Sequence, residues 1–207
     1  MWSERDNAAR RRHDDHPAGT PVPGRWLHAC AAIVALLLSS SAAAQVLLNV
    51  RDADLELVDN VYQLDLNAEI ELPPDARKAI ESGLTLHLDY EIELDRVRSY
   101  VPDAGAAALV QSYEVVYHAV TQRYLLRNLN TGEQVDLPTL QAALDRLANV
   151  EGLPVLDAGL VERGRLYEAR VRAVLDMGNA PEALRWLLFW TDDWSGSSEW
   201  YTWKLRP

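Results

Sequence analysis

Cysteine is almost absent from this chain of 207 residues. Its single thiol, Cys30, lies in an apolar stretch near the N-terminus. From residue 45 onward, disulfides, thiolate metal sites and a cysteine nucleophile are therefore excluded. Only two histidines follow residue 45, His87 and His118, and they are 31 positions apart. Zinc chemistry usually draws on two or three His or Cys ligands close together. Both histidines are therefore expected on solvated strand faces. Long apolar runs are also missing, since the stretch 31–38 is too short for a permanent membrane span. There is no Gly-x-Ser-x-Gly elbow, no phosphate-cradling glycine loop, no EF-hand spacing and no repeat at solenoid length. Positive charge is scarce. From residue 45 there are 15 lysines and arginines against 27 aspartates and glutamates, a formal charge of −12. Such a surface repels nucleic acid and anionic headgroups.

The first 44 residues read as processing sequence. Residues 1–23 are polar and charged, with Arg10, Arg11 and Arg12 beside Asp14 and Asp15. They are expected to be a disordered extension. Residues 24–44 combine a basic flank at Arg25, the apolar run 31–38 and the small residues Ala42, Ala43 and Ala44 before Gln45. This is the pattern of a secretory signal peptide, with cleavage expected near Ala44. A lipoprotein signal would need cysteine at that site, and Cys30 is not there. The expected product is a periplasmic or secreted domain, residues 45–207, without a stable membrane span. It must hold its fold by its core alone.

Alternation of period two dominates that domain. Tyr62, Leu64, Leu66, Ala68, Ile70 and Leu72 alternate with polar residues. So do Leu84, Leu86, Leu88, Tyr90, Ile92 and Leu94, and then Tyr167, Ala169, Val171, Ala173 and Leu175. Each pattern predicts a strand with one dry face and one wet face, as in an antiparallel sandwich. Residues 46–58 and 61–72 should form a hairpin through Asp59 and Asn60. Weaker strands are predicted over 112–120, 122–129, 133–137 and 199–205, with a turn at Asn130, Thr131 and Gly132. Short helices are predicted over 76–82, 140–148 (capped by Thr139) and 181–190. Residues 101–107 read as a loop. The fold expected is mainly β: a two-layer antiparallel sandwich of seven to nine strands with two or three short helices. One antiparallel sheet in an α+β arrangement is the alternative.

Charge constrains strand order. The wet faces of the second and third strands are both acidic, so direct pairing would oppose like charges. The strand bearing Arg170 and Arg172 is the better neighbour for Glu91 and Glu93.

Candidate sites concentrate near the C-terminus. Five tryptophans fall between Trp186 and Trp203. They read either as an aromatic platform for a sugar, lipid or partner protein or as large residues that finish the core. Burial is the usual fate of Trp. Trp200 and Trp203 should point to opposite faces of one strand. The loop holding Asp192, Asp193, Trp194 and Glu199 offers polar groups, but a turn rich in Asp, Ser and Gly needs no ligand to exist. Asp52, Asp54 and Asp59 form a similar cluster. The file Asp89, Glu91, Glu93 and Asp95 is explained as the solvated face of a strand, since catalysis needs one carboxyl desolvated. No catalytic, metal-ligating or cofactor-binding residue is assigned. The candidate binding residues are Trp194, Trp200, Asp192, Asp193, Glu199, Asn128 and Asn130.

Several segments also carry a family resemblance. They are Leu48-Asn49-Val50-Arg51-Asp52-Ala53, Asn128-Leu129-Asn130-Thr131-Gly132-Glu133, Pro138-Thr139-Leu140, and Ser198-Glu199-Trp200-Tyr201 with Trp203. Through them the chain resembles DUF4390, a bacterial domain of unknown function. The resemblance implies an exported protein with no assigned activity. It also implies a periplasmic partner, the outer domain of a membrane sensor kinase. The function expected is a non-enzymatic interaction module acting on a protein. Alternatives are a carrier or sensor of a small apolar or carbohydrate ligand at the Trp-rich end, and a hydrolase whose triad or carboxylate pair assembles in space.

Overall fold

Alternating segments become strands because each can bury one face while its backbone groups pair. The computed structural model describes residues 46–97, 104–178 and 194–207. The expected helix over 181–190, and Asp192 and Asp193 with it, lies outside the described residues. In chain order the elements are β1 (Leu47–Val58), β2 (Val61–Glu71), α1 (Pro74–Glu81), β3 (Leu86–Arg96), β4 (Ala104–His118), β5 (Arg123–Asn128) and β6 (Gln134–Leu137). Then follow α2 (Leu140–Ala148), β7 (Asn149–Asp157), β8 (Tyr167–Asp176), β9 (Gly196–Ser197) and β10 (Tyr201–Leu205). Strands β1, β2 and β7 make a three-stranded sheet. A larger sheet runs β10-β8-β3-β4-β5-β6, with β9 beside β8. Every pairing is antiparallel. The fold is thus the mainly β, two-sheet arrangement the alternation predicts, with ten strands among the described residues instead of seven to nine.

The first hairpin turns at Asp59 and Asn60. Their φ angles are 48° and 70°, the left-handed pair that a two-residue hairpin loop requires. The Asn60 carbonyl accepts from Ala158 N–H at 2.9 Å, which ties this turn to the end of β7. Acidic β2 and β3 fall in different sheets, and β8 lies directly beside β3. The register sets Glu91 opposite Arg172 and Glu93 opposite Arg170. Both pairs form ion pairs, with Arg172 Nε 2.7 Å from Glu91 Oε2.

The two sheets meet through one core. Leu86, Leu88, Tyr90, Ile92 and Leu94 of β3, alternate residues from Tyr167 to Leu175 of β8, and Leu64, Leu66, Ala68 and Ile70 of β2 belong to one buried cluster, which β1 joins with Leu48, Val50, Ala53 and Leu55. Helix α2 completes that core with Leu140, Ala143, Leu144 and Leu147, all buried. Thr139 caps it, its Oγ1 accepting from Ala142 N–H at 3.1 Å. The buried Tyr90 hydroxyl donates to the Leu147 carbonyl at 2.8 Å, joining the larger sheet to the helix.

Two segments depart from the sequence reading. Strand β4 begins at Ala104, inside the predicted loop. Alanine and glycine have little strand preference, but β3 imposes pairing on them, with Arg96 opposite Ala104 and Leu94 opposite Ala107. Strand β7 has no alternation to announce it, because Gly152 and Pro154 interrupt it. Gly152 has φ +63° at a bulge, where its N–H donates to the Asp65 carboxylate at 2.7 Å. Pro154 is tolerated because β7 is an edge strand.

Replacing Tyr90 with Phe should lower stability by about 1–3 kcal/mol, because it leaves the Leu147 carbonyl buried without its partner. Urea denaturation of both proteins would measure it. Burial also raises the Tyr90 and Tyr113 phenols above their usual range. The fold therefore favours their protonated forms. Stability should hold up to about pH 10 and decline as the pH rises further. Tyr90→Phe should soften that decline in a denaturation series from pH 8 to 12. Leu144→Ala should cost about 2–5 kcal/mol in the same assay, because the helix cannot collapse into the space vacated between two sheets.

Candidate functional site

The sheets do not close on each other at the β6 and β7 edges. A cleft of about 260 Å³ lies between them. Leu126 and Val135 of the larger sheet and Val150 and Leu153 of the smaller form its apolar lining. Alternation places them there: Leu126 and Val135 are cross-strand partners on one face. Polar groups reach in from three elements, Tyr113 from β4, Arg146 from α2, and Glu133 and Glu151 beside the strand edges. The Tyr113 ring meets Tyr90 edge-on, with centroids 6.4 Å apart. Burial is the main cause of its raised phenol pKa, Arg146 opposes the rise and Glu133 adds to it. Among the described residues, neither the Tyr113 hydroxyl nor the Arg146 guanidinium has a hydrogen-bond or ion-pair partner. These are groups with unspent bonding capacity over an apolar floor.

The β5–β6 turn forms one rim of the cleft. Asn128 Oδ1 accepts from Gln111 Nε2 at 2.7 Å, from Asn130 N–H at 3.0 Å and from Thr131 N–H at 3.2 Å. Asn130 Oδ1 accepts from Ser112 N–H at 2.7 Å, and its Nδ2 donates to the Val110 carbonyl at 2.9 Å. Both asparagines thus fix the turn and join it to β4. Asn128 lines the cleft while doing so.

The Trp-rich end is arranged differently. Trp200 is half-buried, and the guanidinium carbons of Arg170 and Arg172 stand 4.8 and 4.7 Å from its ring centroid. Trp203 lies on the opposite face, opposite Ala169, and packs against the core. The two residues point to opposite faces, as their odd spacing predicts. Trp194 is half-buried against the core and Glu199 is exposed. Neither Trp194 nor Trp200 lines the cleft.

The histidines and carboxylates are not gathered. His87 pairs in register with Glu114 and Asp176, whereas His118 lies at the far end of β4 opposite Arg123. A shallow depression beside the cleft holds Asp52, Asp54, Asp65 and Glu151. Two of these carboxylates are engaged: Asp65 by Gly152 N–H, and Asp52 by the Tyr201 hydroxyl at 3.2 Å. Among the described residues no three His, Cys, Asp or Glu side chains are placed to hold a metal ion. Buried polar side chains there are Gln111 and Ser198, so no buried carboxyl stands ready for acid–base work. No helix among the described residues is long and apolar enough to cross a membrane.

Asn128 was visible in the sequence as part of a turn. Tyr113 and Arg146 were not visible as site residues. Tyr113 reads as one more inward aromatic on a strand, and Arg146 as an ordinary solvated position of a short helix.

Removal of the Asn130 side chain should leave Ser112 N–H and Val110 C=O without their partners. Asn130→Ala should lose about 1 kcal/mol. It should also speed exchange of the Ser112 amide, which hydrogen-exchange NMR would report.

No curated protein and no solved structure matches the chain. A family profile does, described as "Domain of unknown function (DUF4390)", over residues 47–204. That span covers the whole of this two-sheet framework but its last residue, and the chain belongs to the DUF4390 family.

Proposed function

We propose that the protein is an exported, non-enzymatic interaction module that docks a protein partner at the cleft between β6 and β7. One observation carries this reading: over an apolar floor the cleft presents a tyrosine hydroxyl and an arginine that have no partner among the described residues. Its volume of about 260 Å³ is slightly below the range of small-molecule pockets. It suits one or two anchoring side chains of a larger partner, as in the packed centre of a protein interface. The acidic surface supports the same reading, since it repels nucleic acid and lipid headgroups and steers a protein of opposite charge. The partner proposed is the periplasmic portion of a membrane protein, such as a sensor kinase.

Photo-crosslinking in the bacterial envelope tests this. A photoreactive residue replacing Val135 at the cleft wall should capture one protein of discrete mass. The same group at Val120, exposed on the β4–β5 turn, should not. Arg146→Glu should reduce the capture at least tenfold without shifting the thermal midpoint. Equal capture from both positions, or none from Val135, would sink the proposal.

A further inference from the structure

Strand β4 runs from Ala104 to His118, but β5 covers it only over residues 113–118. Over residues 104–112, the side of β4 away from β3 has no strand beside it among the described residues. The register fixes which atoms line that side. Leu129 N–H donates to the Ser112 carbonyl at 2.9 Å, and Asn130 bonds Ser112 N–H and Val110 C=O. Backbone groups of alternate residues point to the same side of a strand. The N–H of Val110 and both backbone groups of Ala108 therefore face outward. The Asn130 amide imitates one rung of a missing strand, and the imitation stops there.

Open strand edges are normally blunted by lysine, proline, bulges or a covering segment. Here the run Ala104-Gly105-Ala106-Ala107-Ala108-Leu109-Val110-Gln111 contains neither a charge nor a proline. A bulge interrupts its register only at the start, between Ala107 and Gly105. Ala108 and Val110 are exposed, Val110 by 48 %. Among the described residues nothing covers this edge at Ala108 and Val110.

Charge identifies the occupant. On the outer face, the next strand carries Asp89, Glu91, Glu93 and Asp95, with Arg170 and Arg172 of β8 against them. Ala108 and Val110 stand between that file and the free edge, opposite Glu93 and Glu91. A strand added to the edge would lie two strand spacings from the carboxylates, about 10 Å. Outward lysines or arginines could cross that gap over the short Ala108 side chain. A second copy of this chain would bring a second acidic file instead. We propose that the free edge of β4 accepts an extended, basic segment of a partner protein as an added strand. This rests on the interaction-module reading and adds a second contact to it. The turn bearing Asn128, Asn130 and Thr131 separates the edge from the cleft.

A probe of defined chemistry tests the inference on the full chain: the heptapeptide acetyl-Lys-Val-Lys-Val-Lys-Val-Lys-amide, with its Glu-for-Lys counterpart as control. In the free protein, the Ala108 and Val110 amides should exchange rapidly. Saturation with the basic peptide should slow both at least tenfold, and the acidic peptide should not. Ala108→Pro should raise the Kd at least tenfold by calorimetry with the thermal midpoint unchanged, since the lost N–H faces outward. Should that variant fail to fold, Ala108→Lys serves instead, guarding the edge by charge. Arg146→Glu should leave peptide binding within twofold.

Four results would overturn the inference: amides already protected in the monomer, equal binding of both peptides, binding of neither, or protection that appears only with concentration-dependent dimerisation. The last would assign the edge to a second copy. Capture at Val135 with an unprotected edge would defeat this inference alone. A protected edge without capture at Val135 would defeat the cleft proposal alone.

Discussion

The hydrogen bond from Tyr90 to the Leu147 carbonyl is the join on which the molecule depends. Tyr90 lies centrally in the larger sheet, and Leu147 ends the helix that fills the space between the sheets. An unpaired phenol or carbonyl in that position would cost about 1–3 kcal/mol. The bond therefore fixes where along β3 the helix must end. That in turn sets where β7 begins, because Asn149 follows the helix directly. The cleft inherits its geometry from the same join. Arg146 is carried by the last turn of the helix, and Tyr113 leans edge-on against Tyr90.

Electrostatics plays a different part, on the outer face. The Glu91–Arg172 and Glu93–Arg170 pairs are half-exposed. Each contributes about 0–1 kcal/mol. Their value lies in selection. A slip of β8 by one residue would turn its alanines and valines to water and its arginines into the core. Trp200 extends the ladder at its β10 end by stacking on both guanidiniums. An aromatic that composition marks as a ligand platform is thus also explained as the cover of an ion-pair row.

Legibility in the sequence followed physical simplicity. Strand β8 was legible because its inward positions from Tyr167 to Leu175 are all apolar and that face is fully buried, although Val174 interrupts the polar face. Thr139 announced its helix because capping is local chemistry. The strand order around β3 followed from charge, since like carboxylates avoid pairing. Strand β7 stayed hidden because Gly152 and Pro154 make sense only once β2 is beside them. The first half of β4 stayed hidden because its alanines take their conformation from β3. The cleft could not be read at all. It exists where two sheet edges fail to meet, and no local pattern in Tyr113 or Arg146 encodes that absence.

Ser198 has a wider consequence. Its N–H donates to the Ala173 carbonyl, and its hydroxyl accepts from the Ala173 N–H at 3.0 Å. One residue thus keeps the rung between β9 and β10, and the two short strands lie end to end along the same side of β8. The chain leaves the sheet at Asp176 and re-enters beside Leu175 at Gly196. Both ends of the intervening segment are pinned to one strand. Ser198 thus lets two strands of two and five residues act as one continuous partner of β8, a length that neither would reach alone.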